Sequence, residues 1–470
     1  MCFQTVEALK QLGHDVHVLT SVSAHGDGRL HEQESGVDRS LYLSDLWDGS
    51  QEVSVFIQHY LFKARVSNFH NSYQFLRVLR DQRPDVVYFH NILGLGALAL
   101  VELCLPIGVP HVWRLGDRGP VEISLEATPV LDLFRSGSER NFSSGVYILC
   151  SRLLYNEIKN SGVDLGSSTH CVPNWVAPMF EFGERNYFNG GELRCLSAST
   201  LGYHKGTDII LYAARELLDR GVAGFHIDLF GSGNPAEFEG LIKELGLTTV
   251  VTLRGKVSQD YLEGSYTEYD VFLFPTWQRE SFGNAPMQAA AYGVVPIITQ
   301  GIGCTEVLQE GEEYLAIERT PYHLAHALNE IITGKVDLRR MGNRVAVGVR
   351  SRLSRDTLIK RVEAILEDTV GEVDWGGIEW DRALRLALDL DNKARKRLAG
   401  TLIHGDALAD IQTDDPHALL HALRAVQARL QTIYGTRRWR YTQPLNNLIR
   451  FLRSLQWKGD RSGGWPESPP

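Results

Sequence analysis

Cysteine is scarce in this chain of 470 residues: six are present, Cys2, Cys104, Cys150, Cys171, Cys195 and Cys304, and none forms a C-x-x-C pair. Without clustered partners they offer no zinc site. Most lie in apolar runs, so they read as reduced core residues of a cytoplasmic protein. Positive charge is also short. The formal net charge is −9, which argues against a general nucleic-acid surface, because phosphate backbones require a basic face. No uninterrupted apolar run is long enough to span a bilayer, and no repeat with a period of roughly 20–50 residues recurs. A secretory leader is not expected either, since Met1 leads straight into an amphipathic helix (Phe3–Leu12) and a strand (Asp15–Thr20).

Apolar residues make up 43% and charged residues 22%, enough for two or three domains with large cores. In the first half, strands DVHVLT, PDVVYFH, PHVWRL, GVYILCS and STHCVPN alternate with helical stretches at 53–82, 97–108 and 152–162. Residues 21–50 are polar and Gly-rich and read as loop. The segment 178–192 lacks periodicity and reads as a linker. A second alternating set follows, from LRCLSAS to DVFLFPT and beyond, closed by a helix pair around 321–368. Strands of continuous Val, Ile and Leu between helices imply parallel sheets covered on both faces. The expected domains are 1–177, 193–368 and a helical extension 369–470. That extension predicts helices at 381–405 and 414–435, then a tail rich in Arg and Trp. The tail reads first as a helix packing its apolar face on the body. The second reading is a basic amphipathic helix lying on an anionic membrane surface.

The most informative stretch runs from Phe274 to Glu306: strand, polar turn, helix, second strand and a Gly-rich turn. Pro286 suits the first turn of that helix and Gly293 its end. Free N–H groups at a helix start favour an anion, and Glu280 at its rim can accept hydrogen bonds from hydroxyls. A sugar diphosphate satisfies both halves. Ligands of parallel sheets gather at the C-terminal ends of strands, and several other residues fall at such ends. His90 can donate to a substrate hydroxyl or be a core histidine. Lys205, in the turn after LRCLSAS, can pair with phosphate or be an ordinary surface lysine. Gly231 and Gly233 allow close backbone approach, by ligand or by protein. Glu306 can orient a sugar hydroxyl or cap its own loop. Position 288, eight residues past Glu280, is Gln. It can bond a ribose but cannot be a base, which excludes a paired-carboxylate mechanism for these two residues.

In this order, ALKQLGHDVHVLT, PDVVYFHN, KG, GSG, RGKV, FPTWQRESFGNAPMQAAAYGVVPI and GIGCTE resemble the retaining GT-B glycosyltransferases of the family 4 type. The resemblance covers about residues 4–365. It implies two Rossmann-like domains facing a cleft, with a nucleotide-sugar donor held by the second and the acceptor by the first. It implies that His90, Lys205 and Glu280 serve catalysis. Glu280 would bind donor sugar hydroxyls, Lys205 would neutralise the departing diphosphate, and the Phe282, Gly283 and Asn284 amides would meet sugar and diphosphate. Gln288 stands where a Glu normally holds the ribose. No cofactor and no metal is implied, the nucleotide sugar being a co-substrate. The expected acceptor is a glycan or a lipid-linked glycan of a surface polysaccharide. The chain departs from the family at Gln288, at Thr200 in place of an Arg, and at Trp175 in place of a Gly. The first strand of the N-terminal domain and its Gly-Gly loop are expected to be missing, leaving an exposed edge or a central gap in the sheet. These departures keep a second reading open, a catalytically impaired GT-B homologue that binds a nucleotide sugar, a glycan or a partner enzyme. A GT-B epimerase or phosphorylase ranks lower, for want of an acidic pair or a cofactor lysine.

Overall fold

A computed structural model describes residues 2–21, 36–42, 66–121, 123, 142, 145–277 and 279–404, with side chains to 392. The chain divides into two compact units, Met1–Leu398 and Ala399–Pro470. Among the described residues, all the sheets lie in the first unit. Its elements begin with α1 (Cys2–Gln11), β1 (Val18–Ser21), β2 (Val37–Leu41), α2 (Phe69–Gln82), β3 (Val87–His90), α3 (Ala97–Ile107) and β4 (His111–Leu115). Then come β5 (Val146–Leu149), α4 (Arg152–Asn160) and β6 (Thr169–Cys171). The second half contributes β7 (Leu193–Ala198), α5 (Thr207–Asp219), β8 (Phe225–Phe230), α6 (Pro235–Glu244), β9 (Val251–Gly255), α7 (Gln259–Ser265) and β10 (Val271–Phe274). It continues through α8 (Asn284–Ala290), β11 (Val295–Thr299), β12 (Leu315–Ile317), α9 (Pro321–Ile332), α10 (Leu338–Arg352), α11 (Arg355–Thr369) and α12 (Trp380–His404).

The pairing is parallel throughout. A six-stranded sheet has the order β12-β11-β10-β7-β8-β9, and a four-stranded sheet the order β3-β4-β5-β6. Every residue of β10 and β11 is buried, as continuous apolar strands between two helical layers require. Strands β1 and β2 form a separate two-stranded sheet. Among the described residues, β1 and β3 therefore each have one neighbour and one open edge.

The two halves are fastened together at their crossings. Residues 177–192 contain neither helix nor strand. Just before them, Val176 N donates to Leu353 O at 2.9 Å, and Val176 bridges Ser354 where the chain returns. Helix α11 then packs on the first sheet: Leu358, Ile359 and Val362 share a buried core with Val112, Leu115 and Ile148. Arg361 Nη2 donates to Cys171 O at 2.9 Å. A closing helix anchored on the opposite sheet limits how the halves open.

Three expectations change. Val37–Leu41, inside the expected loop, is a strand; its apolar signal is one Val and one Leu, too weak to show in sequence. The expected helix pair around 321–368 is three helices, because Leu353 and Ser354 interrupt one apparent run. The helix expected over 53–82 is described only from residue 66, and α2 begins at Phe69 behind the cap Asn68. The 381–405 helix is present as α12. The 414–435 helix and the basic tail lie outside the described residues. Among those described, no helix is long and apolar enough to cross a membrane. Four cysteines are buried, Cys171 is partly buried, and Cys2 is exposed rather than in the core.

Candidate functional site

Two strand-to-helix turns meet at the C-terminal ends of the central strands β7 and β10. The turn after β7 carries Lys205 in a single 3-10 turn that ends at Gly206, φ 76°. A Cβ there would lie 2.1 Å from Pro275 O, so the position requires glycine. The close approach ties the turns together: Trp277 N donates to His204 O at 3.0 Å. Across this junction Lys205 Nζ forms an ion pair with Glu280, the side chains being 23% and 19% exposed. Two of the predicted residues are thus one unit.

The segment Glu280–Asn284 is held from both sides. From its own half, Gly303 N donates to Glu280 O at 3.2 Å and Cys304 N to Phe282 O at 2.7 Å. Phe282 as a whole is 3% exposed and belongs to the core, so it supports the turn from below. From the first half, Ser151 Oγ donates to Ser281 O at 2.6 Å. The same hydroxyl accepts from Leu154 N at 3.1 Å as the N-cap of α4. Asn174 Nδ2 donates to Asn284 Oδ1 at 2.9 Å.

The structure gives several of the predicted residues protein contacts of their own. Helix α8 spans seven residues behind Gly283 at its N-cap, φ 92°. So short a helix sums few peptide dipoles, and the positive charge of the site comes from Lys205. Glu306 does not cap its own loop. Its two oxygens accept from Arg152 N at 2.8 Å and Leu153 N at 2.6 Å, at the start of α4 in the opposite half. A carboxylate is favoured there by two unsatisfied N–H groups and the helix dipole. Gly231 answers a backbone requirement: at φ 144°, a Cβ would sit 1.7 Å from Ser199 O, and Gly233 is crowded by Leu201 O in the same way. Gln288 is half-buried within α8, and its side chain has no hydrogen-bond partner among the described residues.

His90 ends β3 and pairs in register with Arg114 on β4. Burial, with the Arg114 guanidinium adding to it, pushes its pKa down to about 4. The ring is neutral near pH 7, a hydrogen-bond donor through one nitrogen and an acceptor through the other. Among the described residues one group of three possible metal ligands lies close together, His14, Glu363 and Glu367, with ligand atoms within 4.8 Å. It contains none of the predicted site residues.

Sequence reasoning missed Ser151, Asn174, Ser281 and Arg114. Ser151 had a signal, a serine immediately before a helix. Asn174 had none, since 110 residues separate it from Asn284.

Two parallel α/β sheets, a closing helix that returns to the first sheet, and a Lys–Glu pair at the strand ends define a GT-B architecture of the nucleotide-sugar-using class. Sequence profiles agree: residues 180–346 match glycosyl transferases group 1, and residues 1–178 match glycosyltransferase family 4. The chain belongs to this glycosyltransferase family, whose members transfer sugars from nucleotide sugars. No curated protein sequence matches it. Among solved structures, sucrose-phosphate synthase from Thermosynechococcus elongatus is similar at a TM-score of 0.61 and 16% identity, over 78% of this chain and 91% of that one. A glycosyltransferase from Rickettsia africae gives 0.56 and 14%, over 79% and 94%. Anabaena HepE, solved with UDP-glucose, gives 0.50 and 16%, over 63% and 82%. At these identities the likeness is one of fold.

Proposed function

We propose that this chain is a hexosyltransferase that retains anomeric configuration, needs no metal ion, and moves a sugar from a nucleoside diphosphate donor to a glycan or lipid-linked acceptor of a surface polysaccharide. The Lys205–Glu280 pair carries the reading. An incoming diphosphate competes with Glu280 for the Lys205 ammonium. Glu280, released from that contact, accepts hydrogen bonds from donor hydroxyls. As the sugar–phosphate bond breaks, negative charge grows on the diphosphate, and a fixed cation lowers the barrier most at that point. His90, neutral and half-buried, suits a hydrogen bond to the reacting sugar from the acceptor side. No enzyme nucleophile is needed if the acceptor attacks on the face from which the diphosphate departs.

HepE was solved with UDP-glucose, which makes that donor the first to try. UDP release by the parent and by Glu280→Ala, assayed side by side, tests the assignment. Turnover unchanged in the variant would sink it. Gln288 favours a second reading, a homologue that binds nucleotide sugar without turning it over. UDP binding by the parent with no release from UDP-glucose, GDP-mannose or ADP-glucose would select that reading.

A further inference from the structure

Arg114 is 3% exposed, yet among the described residues its hydrogen bonds go to neutral acceptors. Its Nη2 donates to Val172 O and Pro173 O, both at 3.3 Å, and to Asn174 Oδ1 at 2.9 Å. The Trp175 ring covers it at 5.2 Å, and Trp175 is held in turn by its Nε1–H donating to Gln4 Oε1 at 3.1 Å. Nη1 is buried with no hydrogen-bond partner among the described residues. A cation buried without a counter-charge is costly, and a Met or Leu would fill the space at lower cost. What a guanidinium alone brings is polarity, because it has donors and no acceptor.

That polarity propagates. Arg114 fixes which end of the Asn174 carboxamide faces it: the oxygen. The Nδ2 end is thereby turned to Asn284, where it donates to Oδ1 at 2.9 Å. With its oxygen engaged, Asn284 keeps its own Nδ2 free among the described residues, and the residue is exposed. The geometry points to Arg114 and Asn174 as positioning residues that set Asn284 to present hydrogen-bond donors, not an acceptor, to the diphosphate of the incoming nucleotide sugar. This rests on the donor reading above. Trp175, where the family has Gly, fits as the cover that keeps Arg114 dry and its hydrogen bonds strong.

Asn174→Asp isolates the effect. The introduced carboxylate would make an ion pair with Arg114, so the fold is kept or strengthened. Its second oxygen can only accept, so Asn284 must turn and donate to it, leaving Asn284 Oδ1 facing the ligand. The full-length parent and variant are titrated calorimetrically with UDP, GDP and ADP and melted in parallel. The expected result is a Tm at or above the parent's, with Kd for the bound nucleotide raised about tenfold, more than in Asn284→Ala, which removes a donor without adding an acceptor. A second pair covers the case in which Asn174→Asp lowers Tm. Arg114→Lys keeps a donor-only cation and should bind within about threefold of the parent, whereas Arg114→Met frees Asn174 to flip and should bind more weakly. Parent-like affinity in a folded Asn174→Asp, or equal affinity in the two Arg114 variants, overturns the relay while leaving the donor reading intact. A parent that binds none of the three nucleotides overturns the donor reading and the relay with it.

Discussion

Lys205 and Glu280 stand 75 residues apart in sequence and form one ion pair. Each sits in a turn that follows a central strand of the same sheet, and the turns are laced together by the Trp277 N–H to His204 carbonyl bond at 3.0 Å. The pair is therefore a property of two neighbouring strands. It puts one cation and one carboxylate in contact at the strand ends, and on the proposed function each changes partner when a sugar diphosphate enters.

Lys205→Ala should lower kcat/KM for the donor by about 100-fold or more, the usual scale for losing a group aimed at developing charge. Stability should hardly move, because a partly exposed pair is worth only about 0–1 kcal/mol. Initial rates of nucleotide release, with a thermal melt beside them, separate the two effects. A large fall in Tm with unchanged kcat/KM would make the pair structural.

Glu306→Ala should act on stability first. It strips the acceptor from Arg152 N and Leu153 N at the start of α4, a loss comparable to that of an N-cap, about 0.5–2 kcal/mol. Glu306→Gln should lose less, since its one remaining oxygen still accepts. Urea denaturation of the three proteins checks the order. A Glu306→Ala protein as stable as its parent would return this carboxylate to the sugar.

The His90 shift has a defined sign. Its pKa falls from 6.5 to about 4 in the fold, through burial first and Arg114 second. Between those values the unfolded chain binds a proton that the native chain refuses, so stability drops as pH falls through that window. The full effect is on the order of 3 kcal/mol. His111, also lowered by burial, contributes the same sign. His90→Asn should accordingly flatten, and not abolish, the acid slope of the unfolding free energy between about pH 7 and 4. A slope identical to the parent's would place His90 in water.

Gln288→Glu should tighten donor binding several-fold, because bonds to a charged acceptor contribute about 1.5–3 kcal/mol against about 0.5–1.5 for neutral ones. The effect should appear in donor KM with kcat little changed. If Gln288→Glu leaves KM unaltered, position 288 does not meet the ribose of the donor in this chain.

Much of this was legible in residue order. Continuous apolar strands between amphipathic helices predict parallel sheets, and β10 and β11 are buried at every position. Strand and helix signals are local, whereas the need for glycine at 206 is not, since the atom a Cβ would strike is Pro275 O on another turn. The short strand Val37–Leu41 escaped because two apolar residues in five set no period. The contacts of Glu306 were hidden for another reason. Its partners are the amides of Arg152 and Leu153, 154 and 153 positions away, and backbone N–H groups leave no trace in side-chain identity.

Residue order was enough for most of the elements, for parallel sheets between helical layers and for the short list of polar residues at strand ends, because each follows from periodicity, turn chemistry and spacing within about 30 residues. Tertiary structure alone decided how those residues are used. It coupled Lys205 to Glu280, turned Glu306 toward a helix start in the other half, and ran a donor-only polarity from Arg114 through Asn174 to Asn284. Hydrogen bonds and ion pairs act over about 3–4 Å. Which groups come that close depends on how the sheets and the returning helix pack, not on their order in the chain.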